Sequence, residues 1–325
     1  MDSLHNHLVI AGGAGFLGQA LARSWARQHG DAVVLTRSPR LDLRLGEHTI
    51  RFVPWDARRV GIWSKYLEGS RALVNFTGRS VNCRYNARNR REILLSRTLS
   101  TRALGAALSQ AENPPAAWLN AASATIYRDA RDRDMDEASG EIGEGFSVEV
   151  CKSWEKSCFE AELGPSQSRV RRVALRMAMA MGDEPGGVFE VFARLARLGF
   201  GGPHGGGGQW MSWIHVADLC RAIEFLIEHD ELSGAVNIAS PNPLPEAQFL
   251  KILRAELGVP FGLPTPRPLL EIGAVLIRTE TELLLKSRRV VPARLLEAGF
   301  ELKFPTWPEA AHDLVRAMKS GAAST

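Results

Sequence analysis

Apolar residues along the chain come first in short continuous runs and then at helical spacing, over and over. The first run is His7-Leu8-Val9-Ile10-Ala11, which stops at Gly12. A run this short and unbroken reads as a strand buried on both faces. Gln19-Ala20-Leu21-Ala22-Arg23-Ser24-Trp25-Ala26 follows, with apolar positions at helical spacing. Ala32-Val33-Val34-Leu35-Thr36 predicts a second strand and Ile50 to Asp56 a third. Ala72-Leu73-Val74-Asn75 predicts a fourth, running into the turn Phe76-Thr77-Gly78. A long amphipathic helix is expected from Asn86 to Ser109, buried through Ile93, Leu94, Leu99 and Leu104. Pro114-Pro115 breaks the chain before a fifth strand, Ala117 to Ala122, which ends at Ser123-Ala124-Thr125-Ile126-Tyr127. Residues 128–146 are polar and acidic and read as a loop. Val148 to Ala161 reads as a helix, and Val170 to Met177 as a sixth strand. Strands alternating with helices at these loop lengths predict an α/β fold with a doubly wound parallel sheet.

The character changes near Gly182. A helix is expected over Val188 to Leu198, then a glycine-rich and mobile stretch, Gly199 to Gly208, containing Pro203 and His204. Gln209 to Asp218 leads into another helix, to about Glu228, and Ala235 to Ala239 reads as a strand. The rest is helical pieces punctuated by Pro260, Pro264, Pro266 and Pro268. The expected division is 1–181 for the sheet domain and 182–325 for a smaller mixed C-terminal lobe, with part of 209–240 returning to the sheet. Clefts between such lobes are where small substrates usually bind.

Composition adds limits. The 325 residues are 45% hydrophobic and 23% charged, an ordinary globular balance. No apolar run reaches the roughly 18 residues of a membrane helix, and the N-terminus lacks the basic region of a secretory signal. A cytoplasmic location and no membrane partner are therefore expected. Cys83, Cys151, Cys158 and Cys220 form no CxxC pair, so neither a disulfide framework nor a metal site is expected. The net charge is +4, with much of the excess in Arg84, Arg88, Arg90, Arg91, Arg97 and Arg102. That cluster belongs to no nucleic-acid motif; it reads as a solvated helix face or as contacts to an anionic cofactor. The expected partner is a small-molecule substrate, with a homodimer left open.

The chemistry begins at Gly12-Gly13-Ala14-Gly15-Phe16-Leu17-Gly18. Strand, glycine turn and helix in this order form a dinucleotide-binding pattern. Gly12 would make the tight turn, Gly15 would let backbone approach a pyrophosphate, and Gly18 would let helix and strand pack closely. Phe16 and Leu17 open the helix whose free N–H groups face the phosphates. Thr36 and Arg37 end the second strand, and Arg37 stands 19 positions after Gly18. An acidic residue there would suit NAD, whereas a guanidinium suits the 2′-phosphate of NADP. The expected cofactor is NADP(H), on a Rossmann-type sheet.

With these residues in hand, the chain resembles the extended short-chain dehydrogenase/reductases. More specific are Val74 to Gly78, Arg91-Glu92-Ile93-Leu94-Leu95-Ser96-Arg97, Leu198 to Pro203, Gln209 to His215 and Arg289 to Phe300. Together these resemble the atypical branch grouped as nucleoside-diphosphate-sugar epimerases, epimerase family proteins with their own C-terminal domain. The resemblance covers nearly the whole chain. It implies that Thr36 and Arg37 hold the 2′-phosphate end, and that Phe76, Thr77 and Gly78 line the adenosine and pyrophosphate region. It also implies that Glu92 and Arg97 face the cofactor, and that Met179 approaches the nicotinamide through its backbone. For Glu92 and Arg97, a surface pair with no ligand is the alternative.

Typical members use Tyr-x-x-x-Lys on the helix after the fifth strand, the lysine lowering the tyrosine pKa for proton transfer. Here Ser147 stands where the tyrosine belongs and Cys151 where the lysine belongs, and Lys152 is turned about 100° away on the helix. The candidates left are Tyr127 and Ser123 at the end of the fifth strand, and His215. For Tyr127 and His215 the alternative is a packing role with the polar atoms bonded internally. Trp210 and Trp213 could stack on a planar ligand or pack in the core. Three readings stand: an NADP(H)-dependent oxidoreductase of a small carbonyl or hydroxyl compound, a sugar-nucleotide epimerase, and a non-catalytic NADP(H)-binding regulatory protein.

Overall fold

Alternate residues of the first strand bury into different cores. In the computed structural model, which describes residues 6–164, 167–183, 187–266, 268 and 285–322, Leu8 and Ile10 pack with Leu21 and Trp25 on one face. Val9 and Ala11 pack with Leu104, Trp63 and Trp118 on the other. All four strand residues are fully buried, which is why the run is apolar throughout rather than alternating.

The strands are β1 (Leu8–Ala11), β2 (Ala32–Thr36), β3 (Leu43–Leu45), β4 (His48–Pro54), β5 (Ala72–Asn75), β6 (Ala117–Ser123), β7 (Arg171–Met177), β8 (Met179–Met181), β9 (Trp210–Met211), β10 (Trp213–His215), β11 (Gly234–Ile238) and β12 (Leu244–Pro245). Eight of them form one sheet in the order β11-β7-β6-β5-β1-β2-β4-β3. Neighbours are parallel except β3 with β4. This is a Rossmann-type doubly wound sheet. The chain leaves β1 toward β2 and later crosses to β5 on its other side, so the topological switch point lies between β1 and β5, where such sheets bind ligands.

Helices α1 (Phe16–Gln28), α2 (Ala87–Leu108), α3 (Phe146–Phe159), α4 (Val188–Leu195), α5 (Val216–Glu228), α6 (Glu246–Leu257), α7 (Ala293–Glu297) and α8 (Trp307–Ala322) complete the elements used below. α1 and α5 cover one face of the sheet, with Leu21, Leu219 and Ile223 in the first core. α2 lines the other face through Ala103, Leu104 and Leu108. A separate core forms the smaller lobe, where Phe249 stacks on Trp307 at 3.9 Å and Phe189, Met211 and Trp213 pack around them. No helix among the described residues is long and apolar enough to cross a membrane.

Several boundaries differ from the sequence expectation. The third run begins at His48 and hairpins back through Gly46, φ +62, onto β3. β3 is short and largely exposed, so it carries no apolar signal. α3 starts at Phe146, because Gly145 at φ +99 ends the acidic loop there. α4 stops at Leu195 and continues as a wider turn to Phe200, with Gly199 at φ +85. The glycine-rich stretch is tied down: His204 pairs with the buried Glu246, and the carbonyls of Gly199 and Gly207 accept from Leu263 and Ala247. Pro266 stands at the edge of a stretch, 267 and 269–284, that lies outside the described residues, so the helical pieces expected there lie outside them too.

Candidate functional site

The turn between β1 and α1 is built by three glycines with three separate reasons. Gly12 has φ +75, and a Cβ on it would come within 2.9 Å of the Thr77 backbone. A Cβ on Gly18 would sit 2.2 Å from the Gly13 Cα, so turn and helix touch there and admit no side chain. Gly15 is exposed, and its Cβ would meet nothing closer than the Gly12 carbonyl at 3.6 Å. Its conformation is extended and no side chain caps α1. The space before the first helical N–H groups is therefore open, a cradle for an anion. Phe16 and Leu17 stand half-buried at its rim.

The end of β5 closes the other wall. Asn75 is fully buried and donates to Asn120 Oδ1 at 2.7 Å and Thr101 Oγ1 at 3.2 Å. Its own Oδ1 accepts the Thr77 N–H at 2.9 Å, which fixes the turn Phe76-Thr77-Gly78 against Gly12. The Thr77 hydroxyl is buried and has no hydrogen-bond partner among the described residues. Gly78 faces Arg97, whose guanidinium carbon lies 3.2 Å from the position of a Gly78 Cβ.

Arg97 reaches this point from α2. Its Nη1 donates to the carbonyls of Arg79 and Ile93, both at 3.0 Å, and its guanidinium lies 4.9 Å over the Trp154 ring. Burial lowers its pKa; a guanidinium in a protein nonetheless keeps its charge. Among the described residues it has no carboxylate partner. Glu92 does not pair with it: Glu92 is held by Arg79 and by Arg88, the latter at 2.9 Å. An open glycine cradle, an unpartnered hydroxyl and an unpaired guanidinium converge at the switch point. Those residues fit the pyrophosphate of a dinucleotide.

Thr36 and Arg37 lie farther along the same edge. Thr36 is buried and its Oγ1 accepts the Ser38 N–H at 3.0 Å, turning the chain so that Arg37 is exposed. Arg37 borders an open cavity of about 1030 Å³ that Arg59, Lys65, Trp55, Trp63 and Tyr66 also line. The Trp55 and Trp63 indoles both donate to the Arg59 carbonyl at 3.0 Å and lie 5.0 Å apart. Sequence reading missed Arg59 and Lys65. Their signal was two cations in the segment after β4, which becomes informative only once that segment is seen to fold back beside Arg37.

The candidates for proton transfer are placed differently. Tyr127 is 1% exposed. Its hydroxyl donates to Asn237 Oδ1 at 2.9 Å and accepts from Arg176 Nη1 at 3.0 Å. Arg176 in turn grips both oxygens of Glu155, at 2.8 and 2.9 Å. Burial is the largest influence on the phenol and raises its pKa, outweighing Arg176, the wrong direction for a proton-exchanging group near neutrality. This geometry gives Tyr127 a part in packing. His215 caps α5, its Nδ1 accepting the Ala217 N–H at 3.1 Å. The proton is therefore on Nε2, 3.5 Å from Asp313 Oδ2, too long for a strong hydrogen bond. Its ring packs 4.0 Å from Phe304, and burial lowers its pKa. Ser123 stands half-buried at the end of β6, its Oγ donating to Thr125 Oγ1 at 2.9 Å.

On α3, the Ser147 hydroxyl oxygen is buried and has no partner among the described residues. Cys151 is 4% exposed and burial pushes its thiol up to about 12, Glu155 adding to the effect and Arg97, Arg288 and Arg176 opposing it. Lys152 pairs with Glu149 at 2.9 Å on the exposed side. Met179 begins β8 with its N–H on the Ser212 carbonyl at 3.3 Å. Trp213 is fully buried against Trp307 at 5.2 Å, and Trp210 lies under Arg289 at 4.1 Å. Of the two roles open to these indoles, Trp213 takes core packing, while Trp210 stays half-buried beneath Arg289. All four cysteines are free.

Comparison with known proteins agrees with a dinucleotide-binding fold. The profile of the NAD dependent epimerase/dehydratase family matches residues 8–239, and a domain of unknown function (DUF1731) matches 265–314. The epimerase family protein SDR39U1 of Bos taurus is 29% identical over 302 residues, covering 92% of this chain and 96% of that protein. An epimerase family protein of Staphylococcus epidermidis is 28% identical over 309 residues, covering 95% and 99%. The crystal structure of human SDR39U1 with NADPH superposes with a TM-score of 0.82 at 26% identity, covering 95% of this chain and 99% of that one.

Proposed function

The chain belongs to the NAD dependent epimerase/dehydratase family, and from that premise we propose that it binds NADP(H) and exchanges hydride with a small carbonyl or hydroxyl substrate. The observation that carries the reading is the meeting of the open Gly15 cradle, the unpartnered Thr77 hydroxyl and the unpaired Arg97 at the switch point. Preference for the 2′-phosphate form rests on Arg37, with Arg59 and Lys65 across the same cavity, and on the NADPH in the human relative's structure. Bound there, the nicotinamide supplies the hydride. The chain's own part is to orient it, exclude water and move one proton. Ser123 is the candidate acid that keeps a half-buried place at the edge of the sheet, with Thr125 as its neighbour. The setting we assume is the cytoplasm.

The test compares NADPH with NADH affinity in the wild type and in Arg37→Ala. We expect NADPH to be preferred and the preference to fall in the variant; equal affinities throughout would remove the NADP assignment. Turnover of NADPH with a carbonyl panel, lost in Ser123→Ala, would identify the acid. A second reading, a non-catalytic NADP(H)-binding protein, is favoured by the commitment of Tyr127 to Asn237 and Arg176. Stereospecific hydride transfer to any substrate rules it out. The sugar-nucleotide epimerase alternative requires UDP- or GDP-sugar binding, which calorimetry would detect.

A further inference from the structure

We propose that the preference for NADP(H) over NAD(H) is made by a flap, Arg37 to Arg44, which closes over the 2′-phosphate and seats Leu41 against Ile62. The inference rests on the NADP(H) reading above and deepens it, from which cations meet the phosphate to how the site tells the two cofactors apart.

The flap follows from the strand order. β3 lies beyond β4 as seen from β2, so the chain leaving β2 crosses the carboxyl end of β4 to reach it. Every residue from Arg37 to Arg44 is exposed. Polar contacts hold its ends. Thr36 Oγ1 accepts the Ser38 N–H at 3.0 Å, Asp42 Oδ1 accepts the Phe52 N–H at 3.0 Å, and Asp42 lies 3.6 Å from Arg51. A segment that buries no apolar side chain belongs to the least stable part of a fold. The facing wall, the helical turn Ile62–Leu67, is fixed. Its Trp63 and Leu67 are 4% and 0% exposed, and His7 Nε2 donates to the Tyr66 carbonyl at 2.7 Å.

Leu41 is 93% exposed and Ile62 85%, the two highest values for a large apolar side chain among the described residues. A single exposed apolar residue is ordinary. These two stand on the two walls of one cavity: Asp42, next to Leu41, lines it, and so does Ile62.

Charge decides when the walls meet. Arg37, Arg51, Arg59 and Lys65 line the cavity together with Asp42 and Asp56, four cations against two carboxylates. Of these cations, Arg51 alone forms an ion pair among the described residues, with Asp42. Asp56 spends Oδ1 on the N–H groups of Arg58 and Arg59, at 2.8 and 2.9 Å. The surplus of two positive charges opposes closure. A 2′-phosphate brings about two negative charges at neutral pH and cancels it, whereas NADH brings none there. With the surplus cancelled, Arg37 comes in from the flap and Arg59 and Lys65 from the wall, and the two apolar tips shed the water between them. The phosphate thus shifts the flap by its greater affinity for the closed state. Leu41 and Ile62 set specificity without touching the phosphate.

The experiment measures binding and release of NADPH and NADH by nicotinamide fluorescence for the wild type, Leu41→Ser, Ile62→Ser, the double variant and Leu41→Met. A second measurement places spin labels on Arg40→Cys and Arg58→Cys and reads the distance between them with and without each cofactor. Both positions are exposed and outside the cavity lining. The background is Cys83→Ser, because the other three cysteines are buried. Leu41→Ser and Ile62→Ser should each release NADPH about tenfold faster, the order expected from the apolar area their contact takes from water. Association should change little. NADH affinity should not move, and melting without cofactor should match the wild type, because both side chains are exposed. The double variant should lose little more than either single one, since each loses the same contact. Leu41→Met should keep NADPH. The label distance should shorten on saturation with NADPH and stay unchanged with NADH. Wild-type NADPH release in both serine variants overturns the proposal, as do equal losses for NADPH and NADH. A label distance that saturating NADPH leaves unchanged also overturns it, while the NADP(H) reading survives that result. A wild type that binds no NADPH removes the reading itself and the flap with it.

Discussion

The ends of β5 and β6 are neighbours in the sheet and have the same kinds of polar residue around them, yet they use them in opposite ways. After β5, the Thr77 hydroxyl is buried without a partner and Arg97 has no counter-ion among the described residues. After β6, the Tyr127 hydroxyl has both a donor and an acceptor, and Arg176 beside it holds Glu155 with two hydrogen bonds. Buried polar groups in folded proteins are nearly always satisfied. A saturated network is therefore structure, and a cluster of unmet groups is a request for a ligand. By this criterion the chain keeps the cofactor part of its family's site, while its most conspicuous phenol is packed into core.

The sharpest way to break the comparison is at the saturated end. Arg176→Met strands Glu155, whose side chain is 11% exposed, and takes a donor from Tyr127. Removing one member of such a buried pair costs about 3–5 kcal/mol. Urea melts should show that loss, while NADPH affinity of the folded fraction stays near wild type. A large loss of affinity with intact stability would mean that Arg176 serves the ligand and that the two ends are not distinct.

At the open end, Gly18→Ala and Gly15→Ala should separate. The first forces a Cβ to 2.2 Å from Gly13 Cα, and overpacking of this kind costs about 1–3 kcal/mol. The second meets nothing within 3.6 Å; it should leave the melting temperature alone and weaken NADPH, by filling the cradle. Equal melting temperatures for the two variants would remove the division of labour among the glycines.

That division was legible in the sequence because a turn between strand and helix is local: Gly12, Gly15 and Gly18 lie within one short stretch, and backbone geometry dictates their roles. The sheet was legible for the same reason, since β1, β2, β5 and β6 are short, mostly apolar runs, and β7 keeps Val173-Ala174-Leu175 buried between its arginines. What failed to show was distance. Tyr127 meets Asn237 across 110 positions, and nothing near Tyr127 marks that partner. β3 escaped because its residues are exposed, and Arg59 and Lys65 because only the folded loop sets them beside Arg37.

Tyr127→Phe gives a smaller effect with a clear sign. It deletes one hydroxyl and leaves Asn237 Oδ1 without that donor, which should cost about 1–2 kcal/mol. NADPH affinity and any NADPH turnover should be unchanged. Lost turnover at unchanged stability would instead make the phenol the acid and reverse the contrast between the two strand ends.

The smallest expected effect concerns His215, and it is a dependence on pH. Its neighbours are Phe304 and Asp313 from the second lobe, Asp218 on α5, and Asp183 and Lys303 at longer range. Asp218 is already engaged by the N–H groups of Lys303 and Phe304 at 2.7 and 2.8 Å. Burial outweighs the acids and lowers the His215 pKa, so the folded protein binds fewer protons here than the unfolded chain does. Stability from this group is complete above the ordinary imidazole value, about 6.5, and is lost as pH falls below it. His215→Asn keeps a side-chain acceptor for the α5 cap but cannot titrate, so its stability should fall less than the wild type's across that acid range. If His215 were instead the acid of the reaction, His215→Asn would abolish turnover at every pH while the two stability curves ran parallel. Melting and turnover measured on the same two proteins therefore assign the imidazole to the fold or to the chemistry.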